Sequence, residues 1–210
     1  HADRFRWELT AFHRKIDDII QIITLVDNRV PGSPGNYGCT DDLVLGCYDT
    51  FDNAGTQVKT TGGEFTASMQ FTDALSGTFD WTHTASELEG GNSQLANIPK
   101  DTAKLLVDWA PSDMPFGGGV SATWVGEVTA NAPSSLGPQS YGDYFLVDLN
   151  ARWFLDRDRK HRLGLRVENL LDEAYVSSLG RGFVDVVGTP YLANNQGRGQ
   201  SFHINYTYDF

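Results

Sequence analysis

Eight stretches of the chain alternate apolar and polar residues with a period of two, the mark of β-strands with two unlike faces. They are RFRWELTAFHRK, GGEFTASMQF, GTFDWTHT, TAKLLVDWA, GGVSATWVG, YFLVDLNARWF, HRLGLRVENL and SFHINYTYDF. One face collects Phe5, Trp7, Leu9, Phe65, Met69, Phe79, Trp81, Leu105, Trp109, Val120, Trp124, Phe145, Leu149, Trp153, Leu163, Leu165, Phe202, Ile204 and Tyr206. The other collects Arg4, Arg6, Glu8, Glu64, Asp80, Lys104, Asp108, Asp148, Arg152, Arg166, Glu168 and Asp209. Within these stretches no charge falls on the apolar face except Lys15, at the long-connection end of the first. A lipid-facing surface demands that, because Arg or Lys at the bilayer midplane costs about 2–4 kcal/mol. A soluble sheet also buries one face, so alternation alone does not separate the two.

The connections separate them. The first, third, fifth and seventh are long; TDALS, PSDMPF and LDRDRK between them are short. In an up-and-down meander the odd connections share one end of the sheet. One end is therefore tight and the other carries extended loops, as in outer-membrane barrels with short periplasmic turns. Long structureless loops are uncommon in compact soluble domains. Trp7, Trp109, Trp153, Tyr208 and Phe210 lie towards the tight-turn end, where an interfacial girdle would place them. The fold class expected is all-β: an antiparallel up-and-down transmembrane barrel segment of about eight strands.

Composition narrows the classes. A formal net charge of −11 argues against nucleic acid, which needs a basic surface. The longest apolar stretch, IIQIITLV at 19–26, is too short for a membrane helix, while a transmembrane strand needs only about 9–11 residues. Cys39 and Cys47 match no zinc spacing and read as a loop disulfide, worth roughly 2.5 kcal/mol and implying an oxidising compartment. Their loop holds Asp27, Asp41, Asp42, Asp49 and Asp52 against Arg29; it reads as a solvated face, with a cation site as the other reading. DRDRKHR at 156–162 reads as a solvated basic turn.

No catalytic grouping emerges. His13, His83, His161 and His203 are scattered, and no H-E-x-x-H occurs. Asp80, Asp108 and Asp148 could approach across strands, yet polar residues are normal on a lumen wall. GRGFVDVVG at 180–188 does not link a strand to a helix, so it is no phosphate cradle. No cofactor is expected.

RVENLLDEAY resembles the penultimate-strand motif of TonB-dependent outer-membrane receptors, through Asn169, Leu170, Asp172 and Tyr175. QGRGQSFHINYTYDF resembles their closing motif, through Gly197, Arg198 and Phe210. VKTTGGEFTASMQF is similar at Gly63 and Glu64, LANIPKDTAKLLVDW around Pro99, and WELTAFHRKIDDII as a strand before a long loop. The resemblance runs along nearly the whole chain. It implies that 1–210 is the C-terminal part of a barrel of about 22 strands filled by a plug. It implies uptake of a scarce ligand such as an iron chelate, with energy relayed by TonB through an N-terminal region. Phe210 takes the place of the signal read by the barrel-assembly machinery. Outer-membrane lipid and lipopolysaccharide would surround the wall. Tyr37, Tyr48, Tyr141 and Tyr191 are the candidate ligand contacts. Neither plug, TonB box nor early strands occur in this sequence, and it opens HADRFRW without Met, which reads as a piece of a longer protein. The rival readings are a self-contained eight-stranded outer-membrane barrel with an adhesive or structural role, and a soluble lipocalin-like module.

Overall fold

The computed structural model describes residues 4–18, 20–26, 47–53, 57–88, 94–130, 132, 136–183 and 190–210. Among them run twelve strands: β1 (Phe5–Ile16), β2 (Ile20–Val26), β3 (Cys47–Asn53), β4 (Val58–Gln70), β5 (Leu75–Leu88), β6 (Asp101–Trp109), β7 (Phe116–Thr129), β8 (Ser140–Phe154), β9 (His161–Glu168), β10 (Val176–Phe183), β11 (Pro190–Gln196) and β12 (Ser201–Tyr208). Eight form one sheet in the order β1-β4-β5-β6-β7-β8-β9-β12, antiparallel throughout. These are the eight alternating stretches, each paired with the next. β1 and β12 lie at opposite edges and do not pair with each other, as a closed eight-stranded barrel would require.

The register carries each apolar residue onto its neighbour. Leu9 faces Phe65, Phe65 faces Trp81, Trp81 faces Ala103, Ala103 faces Trp124 and Trp124 faces Phe145. A second row runs Val107, Val120, Leu149, Val167 and Phe202. A one-residue slip at any pair would reverse a strand's faces, so the pattern pins the register. Among the described residues, most of this apolar face is left uncovered. Trp7 is 60% exposed, Trp153 53% and Ile204 76%, while the buried apolar side chains are only Val58, Val128, Ala130 and Val167 among the described residues. A sheet without a core is stable only where another medium covers its apolar face.

Two long connections differ from expectation. The first carries the hairpin β2–β3 and the seventh the hairpin β10–β11, each a separate two-stranded sheet. The interrupted apolar stretch at 19–26 supplies β2. Its β-branched residues favour an extended chain, and pairing with CYDTFDN satisfies backbone groups that a bare loop would leave to water. The sheet strands also outrun the alternating stretches at the long-loop end. β8 has 15 residues and reaches about 50 Å before tilt.

The tight end is braced. The Thr72 hydroxyl accepts from the amides of Ala74 and Leu75 in the turn 71–74. Arg159, at φ 57°, reaches from the β8–β9 turn into the β6–β7 turn. Its Nη2 donates to the carbonyls of Ser112 at 2.7 Å, Pro111 at 3.2 Å and Met114 at 3.3 Å, and its guanidinium lies 4.8 Å from the Phe154 ring centre. The basic turn is therefore a brace as well as a solvated surface, and periodicity does not report a contact between two turns. Asp156 accepts from the amides of His161 and Lys160, and the bond from His161 foremost holds its carboxyl below the usual range. Arg159→Ala is expected to cost about 1–2 kcal/mol, read as a lower midpoint of heat-modifiable migration. Arg159→Lys is expected to recover part of the loss, because one nitrogen meets all three carbonyls and an ammonium can donate to them, while the planar contact with Phe154 is weakened.

Candidate functional site

The polar face holds two charge clusters. In the first, Arg152 on β8 grips Asp108 on β6 with two bonds, Nη1 to Oδ1 at 2.9 Å and Nη2 to Oδ2 at 2.8 Å. β7 lies between them, and the bridge crosses it where β7 has no side chain. A Cβ at Gly119 would sit 3.2 Å from Asp108 Oδ1, and one at Gly117 would sit 3.2 Å from Arg152 Nε. The glycines let a flat ion pair lie on the wall. The sequence showed them only as part of a strand. Two glycines two positions apart in FGGGV are the signal that marks such a close approach.

The second cluster centres on Glu168 at the long-loop end of β9. Arg166 Nη2 stands 3.2 Å away, Arg198 Nη1 3.5 Å and His203 Nε2 3.5 Å. Arg166 also reaches Asp148 at 3.7 Å. His203 is thus a wall residue with hydrogen-bond partners, as its place on the polar face suggests. Asp80, Asp108 and Asp148 each take a different partner: the Thr66 hydroxyl, Arg152, and the Asn169 amide. They form no paired-carboxylate centre.

Beside the second cluster lies a clasp. Asn169 follows β9 at φ 49°, is only 4% exposed, and bonds through every side-chain group. Its Nδ2 donates to the carbonyls of Glu173 at 2.9 Å and Arg198 at 3.1 Å, and its Oδ1 accepts from the Glu173 amide at 2.9 Å. Asp172, at φ 50°, accepts from the Gln200 amide at 3.0 Å. The Leu170 amide donates to the Val147 carbonyl on β8, and Leu170 itself is half-exposed. Gly197 donates to the Tyr175 carbonyl, and a Cβ there would fall within the Tyr175 ring. The six motif residues of 169–198 thus gather in one place. They tie the exit of β9 to the start of β12 and frame the base of the β10–β11 hairpin.

Above the clasp a cleft of about 460 Å³ opens between β8 and this hairpin, lined by Tyr141, Tyr144, Glu173, Tyr175, Leu179 and Asn194 among others. Tyr144 and Tyr175 pack at 4.4 Å between ring centres, and Tyr141 donates to Asn97 Oδ1 at 3.3 Å. Of the four candidate tyrosines, Tyr141 lines this cleft. Tyr48 is exposed on β3 and Tyr191 on β11, and Tyr37 lies outside the described residues. Tyr144 and Tyr175 were missed as cleft residues, because one sits in a strand and the other in the motif. Cys47 is disulfide-bonded, while Cys39 lies outside the described residues, as do Asp27, Arg29, Asp41 and Asp42. No three His, Cys, Asp or Glu side chains among the described residues are grouped to hold a metal. Phe210 stands fully exposed beyond β12, its ring 4.9 Å from that of Tyr208.

An open sheet with one bare apolar face, one charged face, tight turns at one end and hairpins at the other is a piece of transmembrane barrel wall. A family model described as TonB dependent receptor-like, beta-barrel, matches residues 1–170, and the chain belongs to that family. The family is one of outer-membrane transporters and not of enzymes, and the chain's place is the Gram-negative outer membrane. Similar solved structures include FpvA of P. aeruginosa bound to a heterologous pyoverdine, at 18% identity and TM-score 0.66, covering 99% of this chain and 25% of that one. The copper transporter OprC is similar at 16% and 0.71, covering 100% and 29%. The ferric-catecholate import receptor Fiu of E. coli K12 is similar at 17% and 0.67, covering 99% and 25%. The likeness is one of fold. The chain spans between a quarter and a third of these structures.

Proposed function

We propose that the complete protein takes up a scarce ligand across the outer membrane, a ferric siderophore foremost, with energy relayed by TonB. The observation that carries this reading is the unclosed wall: eight strands in register, with free edges at β1 and β12, in a chain of the TonB-dependent receptor family. Siderophore receptors among the similar structures support the ligand class. In this reading 1–210 is the C-terminal part of a larger barrel of about 22 strands, with plug and TonB contact upstream. The tight turns face the periplasm and the hairpins face outward. Lipid and lipopolysaccharide surround the apolar face. The polar face lines the path of the ligand, and Tyr37, Tyr48, Tyr141 and Tyr191 offer it aromatic contacts at the rim. A Cys39–Cys47 disulfide closes the outer loop. Phe210 presents the assembly signal to the barrel-assembly machinery.

The test is deletion of the full gene, followed by growth under iron limitation and uptake of radioiron on defined hydroxamate, catecholate and mixed-type siderophores. Loss of uptake of one class, restored by the intact gene, is the expected result. Unchanged uptake of every iron complex would sink the siderophore assignment. A copper-uptake arm then tells a different cargo from no import at all.

A further inference from the structure

We propose that the tight-turn end of β7, β8 and β9 holds one phospholipid with a primary-amine headgroup. The proposal rests on the apolar face being lipid-covered and not on which ligand the protein imports.

The apolar face has a notch there. In the row Gly118, Ala151, Leu165 the first two residues are the smallest possible. The row on the turn side is Phe116, Trp153, Leu163, and the row above is Val120, Leu149, Val167. Bulk on both sides, and only Leu165 between, leaves a mostly apolar groove of about 370 Å³, lined by Phe116, Ala151, Arg152, Trp153, Leu163 and Leu165 among others. Gly118 is held small by its neighbour, since a Cβ there would meet the Ala151 Cα at 3.4 Å and press on the Asn150 carbonyl.

Trp153 is also a wall of a second cleft, of about 440 Å³, between the β6–β7 and β8–β9 turns. Asp113 lines it from one turn and Arg157 from the other, with Met114 and Leu155 beside them. Arg159 fastens the two turns together, so the cleft is braced. Asp113 and Arg157 are both exposed, and neither is spent in an ion pair among the described residues.

The two cavities thus run from an apolar groove, past a Trp at the interface, to a cleft with two carboxylates and two guanidiniums, of which Asp156 and Arg159 are held by backbone groups of the turns and Asp113 and Arg157 remain for a headgroup. That sequence matches a phospholipid from acyl chain to headgroup. The chain fills the notch, Arg157 takes the phosphate, and Asp113 takes the amine. A headgroup bearing both charges fits both side chains, whereas a purely anionic one would face Asp113 with its own charge. A primary ammonium has N–H groups to donate to Asp113 and a trimethylated one has none. The groove continues the lipid-facing band, which makes lipid its occupant.

The intact protein, purified in detergent and titrated with phosphatidylethanolamine, phosphatidylcholine or phosphatidylglycerol, is read by native mass spectrometry. Phosphatidylethanolamine is expected to be retained about two- to fivefold better than phosphatidylcholine, the range of an exposed ion pair. Asp113→Asn is expected to erase that preference, Arg157→Gln to lower retention of both, and Ala151→Phe to lower retention of all three. Equal retention of the three lipids by the native protein, or a preference for phosphatidylglycerol, overturns the proposal; so does retention unchanged in every variant. Should Ala151→Phe fail the heat-modifiable migration control, the two exposed turn variants still decide the matter.

Discussion

Asn169→Ala in the intact protein is expected to lower barrel stability by about 3 kcal/mol or more, among the largest effects of any single change in this segment. Three part-buried hydrogen bonds disappear together, each worth about 1 kcal/mol, and backbone groups of Glu173 and Arg198 lose their partners. The residue also stands at φ 49°, where Ala pays about 1–2 kcal/mol that Asn relieves through local hydrogen bonding. Asn169→Gly separates the two terms. It frees the backbone but restores no bond, so it should recover roughly 1 kcal/mol of the loss. The measurement is the urea midpoint of the folded, heat-modifiable form. A midpoint for Asn169→Ala within about 0.5 kcal/mol of the native protein would show that the clasp does not hold the strands. The motif around 169–175 has an architectural role: it joins the last wall strands and frames the rim cleft, which Glu173 and Tyr175 help to line.

A pair of adjacent substitutions on β7 should behave in opposite ways. Val120→Arg is expected to cost about 2–4 kcal/mol, and Ser121→Arg close to nothing. Val120 sits midway between Phe116 and Trp124, two aromatics that bound the band and lie about 26 Å apart along the strand before tilt. That is roughly the height of the apolar band of outer-membrane barrels. An Arg there faces hydrocarbon from its centre. Ser121 points to the other side, opposite Asp148, where an added guanidinium meets water and a carboxylate. The comparison uses one strand, one depth and one new side chain, so only the medium differs. Equal losses at both positions would deny that the apolar face meets lipid. Refolding yield into lipid vesicles and urea midpoints together give the readout.

The wall was legible because its physics is local. Period-two alternation needs no knowledge of partners, and a lipid face forbids charge along its whole length. Phe65, Trp81 and Trp124 could be put on one side from the chain alone, and pairing in sequence order then aligned them. The two hairpins were not legible in the same way. β2 has a mostly continuous apolar run and β3 reads CYDTFDN, and neither alternates cleanly. Their pairing depends on each other across the segment between them. The cleft residues divide similarly. Tyr141 was recognisable as a rim aromatic, but Tyr144 and Tyr175 meet only because the clasp folds the chain after β9 back towards β8.

Sequence by itself determined the class of medium on each face, the antiparallel order of eight strands, which end is tight, and the family. The faces follow from side-chain type at fixed spacing, the tight end and the medium from the lengths of the connections, and the family from its motifs, all of which the chain carries wherever it goes. Tertiary structure decided what those side chains do to one another. Asp108 and Arg152 became a pair only when β6 and β8 were laid on either side of a glycine gap in β7. Arg159 became a brace only when two turns came side by side. Asn169, Asp172, Tyr175 and Gly197 became one clasp only when residues far apart in the chain met at the head of β12. Spacing reports the face on which a residue lies; contact between strands depends on register, and contact between turns on their packing.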